Sequence, residues 1–308
     1  MSQNNFGAVL SQTGKPAEAL EAYRKALDIQ QNLADANPTV TSFQSNVARC
    51  QNNIGTFLSQ TGKPAEALEA YRKALDILQK LADVNPTVTD FQFLLGWSQN
   101  NFGVVLSQTG QPAKALEAYR KALDVLQKLA DANPTVLWYH NELAQSHDNI
   151  GRLHTRQKRF AEAFTEFEAA LAIRQKLAEA DPTTIQRTRC LGDSHASRGW
   201  ARARAGQPAA AAADLRRAVE LWAKDPAPMI GERFERSRAQ ALLAGLGGDA
   251  RSGVTTAEAA AFAEQAVAAL ADSVKAGWAQ LDELKEPDFD PLRSREDFKK
   301  LLTELGKK

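Results

Sequence analysis

Gly7, Gly55, Gly103, Gly151 and Gly199 recur at a constant spacing of 48 residues. A fixed period of a few tens of residues constrains a fold more tightly than composition does. Each unit is too small to bury its own apolar face, so it must stack on its neighbours into an elongated array. About five copies are present, and they are close: Ser11–Ile29 returns letter for letter at Ser59–Ile77 and nearly so at Ser107–Val125. Likeness at solvent-facing positions therefore reports duplication before it reports function. Pro16, Pro64, Pro112 and Pro208 share one phase, and Pro38, Pro86, Pro134 and Pro182 share another. Every unit is punctuated twice, and two helices lie between the marks.

The first helix of the second unit places Phe43, Val47, Cys50, Ile54, Phe57 and Leu58 at steps of three and four, which gathers them on one side. Arg49, Asn52, Thr56 and Ser59 fall on the other. Thr61-Gly62-Lys63-Pro64 then reads as a stop and a start, since Gly suits a helix C-cap and Pro suits a first turn. The second helix, Ala65 to about Ala82, carries Ala67, Tyr71, Ala74, Leu75 and Leu78 at the same spacing and closes before Asn85-Pro86. Ala67 and Ala74 leave room for a facing backbone while Tyr71 fills the space beside them, so the pair packs as an antiparallel hairpin. No apolar alternation of strand length occurs, and the expected fold is all-α.

Gly55, Ala67, Tyr71 and Ala74, with Ile54 and Leu58 beside the glycine, resemble the small and aromatic pattern of the tetratricopeptide repeat family. That family's unit has about 34 residues, whereas here both helices run on and the second closes only at Pro86. The long variant is similar to the repeats of kinesin light chains, through stretches such as Asn149–Gly151 and Ala170–Leu177. The resemblance implies a right-handed α-solenoid of antiparallel helix pairs. Residues 1–224 are expected to form five repeats, 225–277 a degenerate sixth, and 278–308 a capping tail. Glu286–Leu292 and the following Arg293–Leu302 resemble the C-terminal arrays of bacterial multidomain Ser/Thr protein kinases. Met1–Phe6 matches Trp97–Phe102, so the first repeat is expected to be truncated, a fragment with an upstream domain missing.

Net charge is +1, which gives no electrostatic case for nucleic acid or membrane. No apolar run approaches the roughly 18 residues that span a bilayer. Cys50 and Cys190 lie in different units and form no paired motif, so a cytoplasmic, reducing setting is expected. Catalytic patterns meet stronger structural explanations. His140, His147 and His154 lie seven apart, about 10.5 Å of rise between neighbours, too far to share a metal, and His154 stands where other units have Leu10, Leu58 and Leu106. Gly245-Leu246-Gly247-Gly248 follows no strand, and Asp288-Phe289-Asp290 lacks every companion motif of a kinase. No catalytic residue, metal site or cofactor is expected, and the chain is read as not an enzyme.

The resemblance places the ligand groove along the polar stripe of the first helices: Asn52, Thr56 and Ser59, then Asn100, Val104 and Ser107, then Asp148, Arg152, Thr155 and Arg156, then Trp200, Ala203 and Arg204. The stripe changes from amide and hydroxyl to basic with one indole. Arginine grips carboxylates with a two-pronged donor set and Asn amides can hold a peptide backbone, so an acidic peptide or protein partner is expected. Arg198 and Arg202 stand at apolar positions of earlier units, and Glu232 and Glu235 are the expected acids. Three function classes follow: an interaction scaffold, in first place, read as the regulatory or docking region of a larger signalling protein such as a Ser/Thr kinase; self-association through the first repeat; and an enzyme, for which no convergent polar cluster is found.

Overall fold

The computed structural model describes residues 16–278 and 281–306, so the start of the first repeat lies outside the described residues. The chain divides into two compact units, residues 1–153 and 154–308. Among the described residues regular structure is helical throughout: α1 (Pro16–Ala36), α2 (Thr41–Gln60), α3 (Pro64–Val84), α4 (Thr89–Gln108), α5 (Pro112–Ala132), α6 (Leu137–Arg156), α7 (Phe160–Ala180), α8 (Ile185–Arg204), α9 (Pro208–Trp222), α10 (Ile230–Leu246), α11 (Thr256–Lys275) and α12 (Glu296–Leu305), with short 3-10 turns at Ala250–Ser252, Leu281–Lys285 and Pro287–Leu292. The sequence expectation of paired long helices holds, and the division falls within α6.

In the first unit α1, α2, α3, α4 and α5 each pack on the next, and the first helices α2 and α4 also touch. The turns are built as their residues require. Gly62 and Gly110 adopt φ of +76° and +73°, a left-handed conformation that favours glycine, and Pro64 and Pro112 open the next helix. At the far end of each pair, Asn37, Asn85 and Asn133 turn their side-chain amides back onto the carbonyls of Leu33, Leu81 and Leu129. That bond closes a helix which the following proline cannot continue.

The periodic glycine answers to a ring. A Cβ on Gly55 would lie 2.9 Å from Tyr71 Cζ, and one on Gly103 would lie 2.6 Å from Tyr119 Cε1. Tyr71 is buried, with Ala67 and Ala74 fully closed beside it. The helix pair is therefore set by a tyrosine lying flat on a bare backbone.

In the second unit α7, α8, α9, α10 and α11 follow in sequence, each packed on the next. Gly199 meets Leu215 instead of a tyrosine, and Gly192 meets Trp222. A capping box between Thr255 and Glu258 starts α11. The last segments share one apolar core in which Phe234 stacks on Trp278 at 4.6 Å between centroids, with Phe289 and Phe298 fully buried nearby.

Arg198 and Arg202 require a correction. Their acid is Asp214, not Glu232 or Glu235: Arg198 donates from Nε to Oδ2 at 2.9 Å and from Nη2 to Oδ1 at 2.8 Å, and Arg202 donates from Nη1 to Oδ2 at 2.7 Å. Glu232 pairs with Arg189, and Glu235 lies 3.9 Å from Arg238. Asp214 stands where Ala70 and Ala118 stand in the second and third copies and Glu166 in the fourth, so an acid was in place one repeat before the two arginines appear.

Candidate functional site

The polar stripe is described separately in each unit. In the first, Asn52 and Asn100 face inward. Asn52 donates from Nδ2 to Ser98 Oγ at 2.6 Å and Asn100 from Nδ2 to Ser146 Oγ at 2.8 Å, and all four side chains are buried. The expectation that a row of Asn amides is presented to a ligand is therefore corrected: these amides tie one repeat to the next. Asp148, in the same phase, is buried as well. Thr56 is half-buried and shares a 2.9 Å hydrogen bond with the hydroxyl of Tyr71, whose pKa burial pushes up to about 12. Ser59, Val104, Ser107 and Arg152 are part-exposed; Val104 packs against the apolar core.

In the second unit Arg156 is exposed while Thr155 and His154 are buried. Burial first, then Arg159, lowers the His154 pKa, against a hydrogen bond with the Gln157 side chain that raises it. Trp200 and Arg204 come together with a residue the groove reading missed. Arg204 lies over the Trp200 indole at 4.5 Å and Arg238 over it at 5.5 Å. All three converge on the carboxylate of Asp288. Trp200 Nε1 donates to its two oxygens at 3.2 and 3.0 Å, Arg204 Nη2 to Oδ1 at 3.1 Å, and Arg238 Nε to Oδ2 at 2.6 Å. Asp288 is 3% exposed. It is carried in by the turn Pro287–Leu292, which packs on α10 through buried Phe289 and Leu292. Burial opposes the charge on Arg238, but Glu235 and Asp288 outweigh it and hold its pKa above the ordinary value.

A second buried cation also escaped the sequence reading. Arg174, 2% exposed in α7, donates from Nη1 to the Cys190 carbonyl and to Ser194 Oγ, both at 2.8 Å. Comparison in the 48-residue phase finds it, since Arg174 stands where Leu78 and Leu126 stand. Both cysteines are buried thiols outside any disulfide, and burial foremost raises the Cys190 pKa. Among the described residues no group of three or more His, Cys, Asp or Glu is placed to hold a metal ion, and no helix is long and apolar enough to cross a membrane.

Stacked pairs of long helices, joined by glycine-proline turns and registered by side-chain ladders, define a helical-repeat scaffold. Within that class the chain belongs to the tetratricopeptide repeat family, whose models match residues 1–80, 95–134 and 143–183, together more than half of its length. No curated protein matches the sequence. Solved structures of the same fold include BtubC from P. vanneervenii, with 16% identity, a TM-score of 0.62, and coverage of 84% of this chain and 91% of that one. The apo form of RapI aligns with 14% identity and a TM-score of 0.64 over 99% of this chain and 94% of its own. A putative kinesin light chain from Podosopora anserina with nearly identical TPR-like repeats aligns at 20% identity and a TM-score of 0.51, over 72% and 94%. Such repeats are in general protein-interaction scaffolds, and the fold is typically non-catalytic.

Proposed function

We propose that the protein is a non-catalytic scaffold that holds an acidic segment of a protein partner against the polar stripe of its first helices. One observation carries this reading: Trp200 and Arg204, two stripe positions, grip the carboxylate of Asp288 together with Arg238. An indole N–H and two guanidinium groups make a donor set matched to a carboxylate. In the second unit that set is filled by the chain itself, which leaves Arg156 on its stripe. In the first unit Ser59, Ser107 and Arg152 offer hydroxyls and a guanidinium at part-exposed positions. The resemblance of Glu286–Leu302 to the arrays of Ser/Thr kinases supports a role as the docking region of a larger signalling protein, and two cysteines outside any paired motif support a cytoplasmic setting.

The test is calorimetric titration with acidic peptides and their amide counterparts, in which Gln replaces Glu and Asn replaces Asp. Acidic peptides are expected to bind at least about tenfold tighter, and Arg152→Glu and Arg156→Glu, assayed singly, are expected to weaken them. Equal binding of the amide peptides sinks the reading.

Self-association is a second reading, favoured by Leu33 and Ile29 of α1. Leu33 is 37% exposed, whereas Leu81 and Leu129 at the same phase are 3% and 2% exposed. A mass that rises with concentration in light scattering, and stays monomeric in Leu33→Glu, is the expected result; a concentration-independent monomer rejects it.

A further inference from the structure

Between α3 and α5, over α4, the first unit carries a cleft of about 320 Å³. It contains none of the stripe residues. Phe102 lies at its floor, and its walls present Arg72, Lys114 and Lys121 with Asp76 and Glu117. Glu117 is held by Lys121 at 2.7 Å. The guanidinium of Arg72 lies 5.8 Å from the centroid of the Phe102 ring, and among the described residues Lys114 donates to the neutral Gln111, at 3.0 Å. Two cations thus border the cleft beside an aromatic ring, and Asp76 is its one lining carboxylate besides Glu117.

The copied sequence makes this cleft unusual. Helices α3 and α5 differ at three positions, Glu66/Lys114, Ile77/Val125 and Val84/Ala132, and the only reversal of charge among them falls in the cleft. On α4, Phe102 stands where the repeats on either side carry Ile54 and Ile150, and Phe6 holds the same phase two repeats earlier. The corresponding positions one repeat earlier carry two cations, Arg24 and Lys73, and three carboxylates, Asp28, Glu66 and Glu69. Here the balance is three cations to two carboxylates. The preceding repeat has neither the ring beneath the guanidinium nor the basic rim, in surroundings that otherwise match.

We propose that this cleft is a binding site separate from the polar stripe. Its ligand is an acidic side chain with an aromatic or aliphatic neighbour, on a segment of a protein partner. The carboxylate sits between Arg72 and Lys114, where a fork of N–H donors and an ammonium reach it together. The apolar neighbour lies against Phe102, whose ring also fixes the plane of the guanidinium. The volume is at the lower end of what small-ligand pockets offer, which suits one or two residues.

The experiment titrates the full chain with acetyl-Asp-Phe-amide and acetyl-Asn-Phe-amide, by calorimetry and by NMR. Lys114→Glu restores the residue that the preceding copy carries at this phase and is expected to fold. It should weaken the acidic dipeptide at least about tenfold, as should Arg72→Gln, while Lys275→Gln, at an exposed cation of the second unit outside both sites, leaves it unchanged. Building the same site one repeat earlier with Ile54→Phe and Glu66→Lys should raise the stoichiometry from one to two. The proposal is overturned if the acidic dipeptide does not bind, if the amide binds equally, or if Lys114→Glu has no effect; loss of binding in Arg152→Glu alone would move the site to the stripe and overturn it too.

Discussion

Asn52 donates its side-chain amide to Ser98 Oγ at 2.6 Å across two neighbouring repeats, and Ser98 Oγ donates in turn to the Leu94 carbonyl of its own helix at 2.6 Å. The arrangement repeats 48 residues on, where Asn100 donates to Ser146 and Ser146 to the Glu142 carbonyl. Each link fixes the rotation of one first helix against the next, in a place where water does not reach.

Ser98→Ala should therefore cost about 1–3 kcal/mol, because it strands a buried N–H donor, and Asn52→Ala about 1 kcal/mol. Asn52→Asp should cost more than either, since it places a charge at a position with no exposure. Urea unfolding followed by circular dichroism gives the order. A Ser98→Ala midpoint equal to that of the parent would mean that packing alone sets the register.

The glycine contacts predict a graded series. An added Cβ meets Tyr119 at 2.6 Å in Gly103→Ala and Tyr71 at 2.9 Å in Gly55→Ala. Both should destabilise by about 1–3 kcal/mol through overpacking, Gly103→Ala the more. Shortening the opposing ring in Tyr119→Leu should recover part of the loss, since Gly199 already faces Leu215 at this phase. Melting temperatures of the singles and the double decide it; no recovery would place the strain in the backbone.

These contacts also mark what was legible in the sequence. Period, proline phases and apolar spacing define every helix of the regular array, because each is local and copied. The inward turn of Asn52 and Asn100 was not legible: a polar residue opposite an apolar stripe has the same signature whether it meets water or a serine 46 positions away. Asp288 lies 88 residues from Trp200 and outside the period, so no spacing rule connects them. Asp214 was within reach, since its phase turns from alanine to acid at Glu166 and stays acidic in the repeat where Arg198 and Arg202 break apolar phases.

Lys158 occupies the turn phase held elsewhere by glycine. Its φ is 59°, beside +76°, +73° and +70° at Gly62, Gly110 and Gly206. A side chain in the left-handed region costs about 1–2 kcal/mol. Lys158→Gly should consequently raise stability by about 1 kcal/mol, and Gly110→Ala should lower it by a similar amount. Thermal unfolding of the two variants tests this, and a Lys158→Gly protein that melts lower would show that the lysine side chain contributes more than its backbone loses.

The Asp214 cluster predicts both an acid limit and a route around it. Burial pushes the Asp214 carboxyl upward, but the hydrogen bond from His195 and the guanidinium groups of Arg198 and Arg202 outweigh it, and the folded pKa lies below the ordinary carboxylate range. A depressed folded pKa contributes stability that is complete above the unfolded value, about 3.9, and is lost as pH falls through the folded one. Stability of the second unit should be level in this respect from neutrality to about pH 4 and decline below it, with Asp214→Asn losing that part of the slope. At neutral pH Asp214→Ala should cost about 3–5 kcal/mol, because two cations at a buried site lose their acid. Replacing the whole set with the residues of the earlier copies, Arg198→Ile, Arg202→Leu and Asp214→Ala together, should be neutral or stabilising, as is found when buried ion pairs give way to well-packed apolar groups. Denaturant titration of the single and triple variants separates the cases. A triple variant as unstable as Asp214→Ala would show that the charges were accompanied by a change in backbone packing that apolar side chains cannot refill.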